Sequence, residues 1–109
     1  ATVDYNLKQI DGPTDKVMPL GNLRAKWEAF GWQVIDIEKG NDISAILKGL
    51  AEAKALTGKG KPVCILLHTE MGNGVDFMMG TNAWHGKAPN NEQLEKALAQ
   101  LTLDNLNDY

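Results

Sequence analysis

Apolar residues recur along this chain with three different spacings, and each spacing predicts an element. Ala1 to Tyr5 reads as the tail of a strand whose beginning lies upstream, and Gln9 to Pro19 carries the turn-rich stretch Asp11-Gly12-Pro13-Thr14-Asp15. Leu20, Leu23, Trp27 and Phe30 then recur at intervals of three and four, which predicts a helix with an aromatic stripe turned to the core and Gly31 ending it. Trp32 to Ile37 alternates at period two, the pattern of a strand with Val34 and Trp32 on one face. After a turn at Lys39-Gly40-Asn41, Asp42 is placed to cap a second helix whose Ile43, Ile46, Leu47, Leu50 and Ala53 form a stripe as far as Leu56. Thr57 to Lys61 is an exposed turn. Val63 to Leu67 is a continuous apolar run behind Pro62, as expected of a parallel strand buried on both faces.

Strand, helix, strand, helix, strand predicts an α/β fold, a three-layer α/β/α arrangement on a mostly parallel sheet. Val3–Tyr5, Gln33–Ile37 and Val63–Leu67 should be adjacent parallel strands with three helices packed on them. The pattern breaks between Glu70 and Asn90, where four glycines and no sustained period mark a long loop of the kind that is functional or disordered. Asn90 with Gln93 forms a capping-box signature for a last helix, with Leu94, Ala97, Leu98 and Leu101 expected to face inward. One domain over residues 1–103 and a frayed tail over 104–109 account for the chain.

Composition narrows the function classes. With 109 residues there is room for one small core, and 11 basic against 14 acidic residues leave a net charge of −3, which offers no footprint for nucleic acid or an anionic membrane. No apolar run has the length of a membrane span and no signal-peptide order opens the chain, so the expected compartment is the cytoplasm. The single cysteine, Cys64, falls inside the apolar strand and reads as a core residue.

A parallel sheet would put Asn6, after the first strand, and His68, Thr69 and Glu70, after the third, on one carboxyl rim, where ligands of open α/β sheets bind. Taken alone, Asn6 reads as a strand cap that makes an Asx-turn, His85 equally as a structural histidine or as a donor to a phosphate or substrate oxygen, and Gly72 and Gly74 as an ordinary tight turn. His68 reads as a strand-end hydrogen-bonding residue or a chance zinc contact. Two histidines without a cysteine or carboxylate cluster make a poor metal site.

Tyr5-Asn6 followed by Ile10-Asp11-Gly12, read with Trp84-His85-Gly86-Lys87-Ala88-Pro89, resembles the thiamine-diphosphate-binding domain of transketolases over nearly the whole chain, from Val3 to about Leu101. In that family an asparagine side chain, a main-chain carbonyl two residues beyond it and the aspartate of an upstream Gly-Asp-Gly hold magnesium against the cofactor diphosphate. The resemblance therefore implies Asn6 and Lys8 as metal and cofactor ligands. It implies Met71 against the cofactor, Gly72 and Gly74 where the loop passes the diphosphate, and His85 as a catalytic residue near diphosphate and sugar. Implied with them are thiamine diphosphate and magnesium as cofactors, and a two-carbon ketol transfer between sugar phosphates in an oligomeric enzyme. Other transketolase segments, or a subunit carrying the pyrimidine-binding domain, would complete it, and this stretch alone would be inactive.

The chain departs from the family pattern in two places. It contains no Gly-Asp-Gly, so that half of the site would lie upstream, and it reads His68-Thr69-Glu70-Met71-Gly72-Asn73-Gly74 where two-subunit bacterial relatives tend to read Lys-Thr-Val-Lys-Gly-Lys-Gly. The competing expectations are another thiamine-diphosphate enzyme, such as 1-deoxy-xylulose-phosphate synthase or a 2-oxoacid dehydrogenase, and a small non-catalytic α/β binding module. The Trp-His-Gly-x-Ala-Pro segment favours transketolase over the other enzymes.

Overall fold

The computed structural model describes residues 1–101; the tail expected over 104–109 lies outside them. In chain order the elements are β1 (Thr2–Asp4), β2 (Lys8–Gln9), β3 (Gly12–Pro13), α1 (Thr14–Val17), α2 (Leu23–Ala29), β4 (Gln33–Ile37), α3 (Ile43–Leu56), β5 (Val63–Leu67) and α4 (Asn91–Gln100). The three expected strands are all parallel, in the order β1-β5-β4. The continuous apolar run occupies the centre, where it is paired on both edges and covered on both faces. Period two then sorts its side chains. Cys64 and Leu66 join Val34 against Leu23, Trp27, Trp32 and Val3, while Ile65 joins Ile35 and Ile37 against Ala45, Ala53 and Leu56. One face thus carries α2 and the other α3, the predicted three layers. Burial raises the pKa of the Cys64 thiol, which keeps it protonated and inert.

Local signals set the element ends. Asp42 Oδ1 accepts the Ala45 N–H at 2.8 Å, and the Asn90 and Gln93 side chains exchange bonds with each other's main-chain N–H groups at 2.9 and 3.0 Å. α2 starts later than its apolar period suggests. Gly21 sits at φ +59° and breaks the chain, Asn22 caps Ala25 at 2.9 Å, and Leu20 is left outside the helix.

Several residues expected in the core are outside it. Phe30 follows the last turn of α2 and is 84 % exposed, so only Leu23 and Trp27 of that stripe reach the sheet. Trp32 precedes β4 and packs edge-on against Trp27, with centroids 4.8 Å apart. In β4 the alternation is not one-faced, because Val34, Ile35 and Ile37 are all buried. α4 is not a third helix on the sheet. Gln100 grips Asp76 through two bonds of 2.8 and 2.7 Å, which hold α4 on the long loop; Ala97 is buried there, whereas Leu94, Leu98 and Leu101 are exposed. The Cα radius of gyration of 16.5 Å exceeds the roughly 13 Å of a compact chain this long, in keeping with exposed Leu47 and Leu50 on α3.

Candidate functional site at the carboxyl rim

The connection leaving β1 carries α2 to one face of the sheet, and the connection leaving β4 carries α3 to the other. The chains leaving the carboxyl ends therefore diverge around β5, which is where an open parallel sheet forms its crevice. Asn6 and His68-Thr69-Glu70 sit there on neighbouring strand ends. Tyr5 N–H continues the β1·β5 pairing to the Leu67 carbonyl at 2.8 Å, and the Thr69 hydroxyl donates to the Asp4 carboxylate one step further out.

The segment after β1 turns on two devices. Asn6 Oδ1 accepts the Lys8 N–H at 2.8 Å, an Asx-turn, and Leu7 adopts φ +59°, the only non-glycine residue in the left-handed region among the described residues. That conformation is costly for a leucine and persists where the surroundings enforce it. β2 and β3 form a tight hairpin that the turn-rich reading of Gln9 to Pro19 did not anticipate, with Lys8 opposite Pro13 and Gln9 opposite Gly12. Thr14 N–H donates to the Leu7 carbonyl at 2.9 Å, so Leu7·Thr14 is a hydrogen-bonded rung and Lys8·Pro13 is the intervening one. At such a rung N–H and C=O point away from the partner strand. The Lys8 carbonyl thus emerges on the side where its own N–H meets Asn6 Oδ1. An amide oxygen has two lone pairs, and Lys8 uses one.

Two hard oxygens sharing one side of the chain fit magnesium, which takes few protein oxygens and completes an octahedron with phosphate and water. Among the described residues no group of three or more His, Cys, Asp or Glu is placed to hold a metal ion. A magnesium ion held by Asn6 and Lys8 would therefore need oxygens from phosphate, water or a further carboxylate.

The loop after β5 approaches the same rim. Glu70 N–H donates to Asn41 Oδ1 at 2.7 Å and Glu70 Oε1 accepts from Gly80 N–H at 2.7 Å. Gly72, at φ +72°, has no room for a side chain because a Cβ would lie 2.5 Å from Met78 Cβ; one on Gly74, at φ +90°, would meet Leu101 at 3.0 Å. Both glycines are therefore demanded by the loop's own folding, and Met71 is half-buried between strand end and turn. Asn82 Nδ2 donates to the Ile10 carbonyl at 3.0 Å, which ties the loop to the tip of the hairpin that carries Lys8. His85 follows three residues later on the anchored turn. Its N–H bonds the Asn82 carbonyl at 3.1 Å, its neighbour Trp84 donates to the Phe77 carbonyl at 3.0 Å, and the imidazole is exposed. The Asn82 bond thus ties the loop bearing His85 to the hairpin of Lys8, while Met71, Gly72 and Gly74 follow the carboxyl end of β5 and pack within their own loop.

Sequence reading missed a polar row on the α2 face of that rim. His68 Nε2 lies 3.0 Å from Asp36 Oδ1 and 3.9 Å from Glu38 Oε1, and the Tyr5 ring meets the imidazole edge-on at 5.2 Å. Arg24 binds Asp36, donates to the Val34 carbonyl at 2.9 Å and reaches Glu28 at 2.8 Å. Desolvation pushes the Asp36 pKa up, but the hydrogen bonds from His68 and Arg24 and the Arg24 charge outweigh it and hold the carboxyl below its usual value. The carboxylate raises the Arg24 pKa in turn. The signal available in the sequence was Asp36 itself, a charge inside an otherwise apolar strand. On the β4 side, Glu38, Lys39, Asn41, Asp42, Glu70 and Asn73 line a polar cleft of about 520 Å³ beside His68.

The family profile for "Transketolase, thiamine diphosphate binding domain" matches residues 1–109. The chain is 36 % identical over 102 residues to one subunit of the apulose-4-phosphate transketolase of Phocaeicola vulgatus, covering 94 % of this chain and 35 % of that one. It is 41 % identical over 101 residues to the SqwG subunit of a 6-deoxy-6-sulfo-D-fructose transketolase from a Clostridium species, covering 93 % and 36 %. A Pichia stipitis transketolase crystal structure, in complex with sedoheptulose-7-phosphate, superposes with a TM-score of 0.78 at 28 % identity over 89 % of this chain and 14 % of that one. The chain spans about a third of the length of the two bacterial relatives.

Proposed function

This chain belongs to the transketolase family, and we propose that its carboxyl rim holds the diphosphate end of thiamine diphosphate through a magnesium ion. The observation that carries this reading is the hairpin register that presents the Asn6 amide oxygen and the Lys8 carbonyl on one side of the chain. Oxygens of the diphosphate, water and a carboxylate from another segment would supply the ion's remaining ligands. Met71 would pack against the cofactor, and Gly72 and Gly74 would let the loop backbone approach its phosphates. His85 donates to diphosphate or sugar-phosphate oxygens, where a fixed donor stabilises developing negative charge. Bound thiamine diphosphate supplies the electron sink for two-carbon ketol transfer between sugar phosphates. This chain's residues bind and orient it.

The remaining transketolase segments, or a second subunit with the pyrimidine-binding domain, complete the site in an oligomeric enzyme of the cytoplasm. Two relatives named as transketolase subunits support that division of labour. Calorimetric titration with thiamine diphosphate and excess Mg²⁺ tests the proposal. The chain alone binds weakly or not at all, the chain with its completing segments binds tightly, and Asn6→Ala or His85→Ala weakens that binding. Tight binding by the chain alone, or unchanged binding by Asn6→Ala in the completed protein, overturns it.

A further inference from the structure

We infer that His68, buttressed by Asp36 and Arg24, is a positioning residue that fixes the Asn6 turn; this rests on the reading of Asn6 as a cation ligand. Asp36 is ionised and can only accept, so His68 Nε2 carries the proton of their 3.0 Å bond, which fixes the ring's tautomer and orientation. Arg24 immobilises Asp36 from behind through Glu28 and the Val34 carbonyl. Ordered this way, the imidazole meets the Tyr5 ring in a T-shaped pair at 5.2 Å and 69°. Tyr5 is the last residue tied to the sheet before Asn6, by its N–H on the Leu67 carbonyl.

The left-handed Leu7 makes this buttress necessary. A strained residue holds its conformation only where the surrounding structure over-determines it. On the far side the flank is the Leu7·Thr14 rung and the hairpin. On the near side it is Tyr5, held by the main-chain bond, by the Asp4–Thr69 contact and by His68. Without the imidazole the Tyr5 ring loses its only aromatic partner among the described residues, and Leu7 can relax into the β region. That relaxation would swing Asn6 Oδ1 away from the Lys8 N–H, and the two cation-facing oxygens would no longer share a side.

The Lys8 amide reports on this geometry without any cofactor. Hydrogen exchange measured by NMR, with Mn²⁺ as a paramagnetic probe of the cation site, tests the inference in the completed protein. His68→Ala is expected to speed exchange at Lys8 about tenfold, the scale of one hydrogen bond to a charged group, and to weaken Mn²⁺ binding similarly, while exchange at Leu66 in the central strand holds. His68→Gln, whose amide can still donate to Asp36, restores part of both. Asp36→Ala, which removes the acceptor, follows His68→Ala. If Lys8 exchange is unchanged, or changes only in step with Leu66, His68 is a general stabiliser and the inference fails. If instead Asn6→Ala leaves Mn²⁺ binding intact, the cation reading fails, while metal-free exchange at Lys8 still decides whether His68 positions the turn.

Discussion

Replacing Gly40 with alanine tests how tightly the rim is built. Gly40 follows β4 in the turn that faces the strand end of β5, and its N–H donates to the His68 carbonyl at 2.9 Å while His68 N–H donates to the Ile37 carbonyl at 3.0 Å. A Cβ on Gly40 would lie 2.7 Å from both the carbonyl carbon and oxygen of His68, and 2.9 Å from its nitrogen. All three are main-chain atoms, so no rotamer change can relieve the contact, and the chains must part by about 0.8 Å or more to reach ordinary carbon contact distance. Overpacking of this kind costs about 1–3 kcal/mol, and weakening two buried main-chain bonds adds about 0.5–1.5 kcal/mol each. A total of about 3 kcal/mol lowers Tm by roughly 12–24 °C in a domain of this size. Thermal and urea unfolding followed by circular dichroism measure it, with Gly86→Ala as the control, since a Cβ there meets nothing within 4 Å and its φ is not positive. The control should stay within about 0.5 kcal/mol of the parent. A Gly40→Ala protein equally close to the parent would show that the β4 and β5 ends are free to separate, and the reasoning about a rigid rim would be wrong.

Other substitutions probe other levels. Because Asp36 has a lowered pKa in the folded protein, its stabilising contribution is complete above the unfolded carboxyl value of about 3.9 and is lost as pH falls through the lower folded value; Asp36→Asn should flatten this acid limb in pH-dependent unfolding, and an unaltered limb would refute the assignment. Asn90→Ala removes a capping box and should cost α4 about 1 kcal/mol, read as faster amide exchange within α4 while the strands hold, because that helix is fastened to the loop. Leu66→Ala empties a fully buried site in the central strand and should cost about 2–5 kcal/mol in urea unfolding; a loss under 1 kcal/mol would mean that the core collapses around it.

Much of the fold was legible because it rests on local rules. The unbroken run from Val63 to Leu67 marks a strand covered on both faces, and the capping residues Asp42 and Asn90 fix where helices begin. Burial was less legible. Spacing assigns residues to a face, but whether that face meets anything depends on how much structure surrounds it. Phe30, Leu47 and Leu98 sit on predicted stripes and are exposed, because a three-stranded sheet with one main helix per face has too little area to cover them. The same stripes would be buried if further strands and helices extended the sheet beyond β1.

At the site, sequence and geometry contribute different parts. Asn6 at a strand end and Trp84-His85-Gly86 in the long loop can be found by motif, and so can the likeness they carry. The likeness also names Lys8, but not the direction its carbonyl takes. The role proposed for it depends on falling at a non-hydrogen-bonded rung opposite Pro13, and shifting the hairpin by one residue would turn the Lys8 carbonyl into the ladder. Thr14 sets that register through its bond to Leu7. Asp36 and His68, 32 residues apart, meet only because β4 and β5 are neighbours in the parallel sheet. Each strand's sequence allows the contact, and the strand order creates it. If Lys8 serves the proposed cation site, substitutions at Thr14 or Pro13, which set the rung and supply no ligand atom themselves, should weaken Mn²⁺ binding through Lys8.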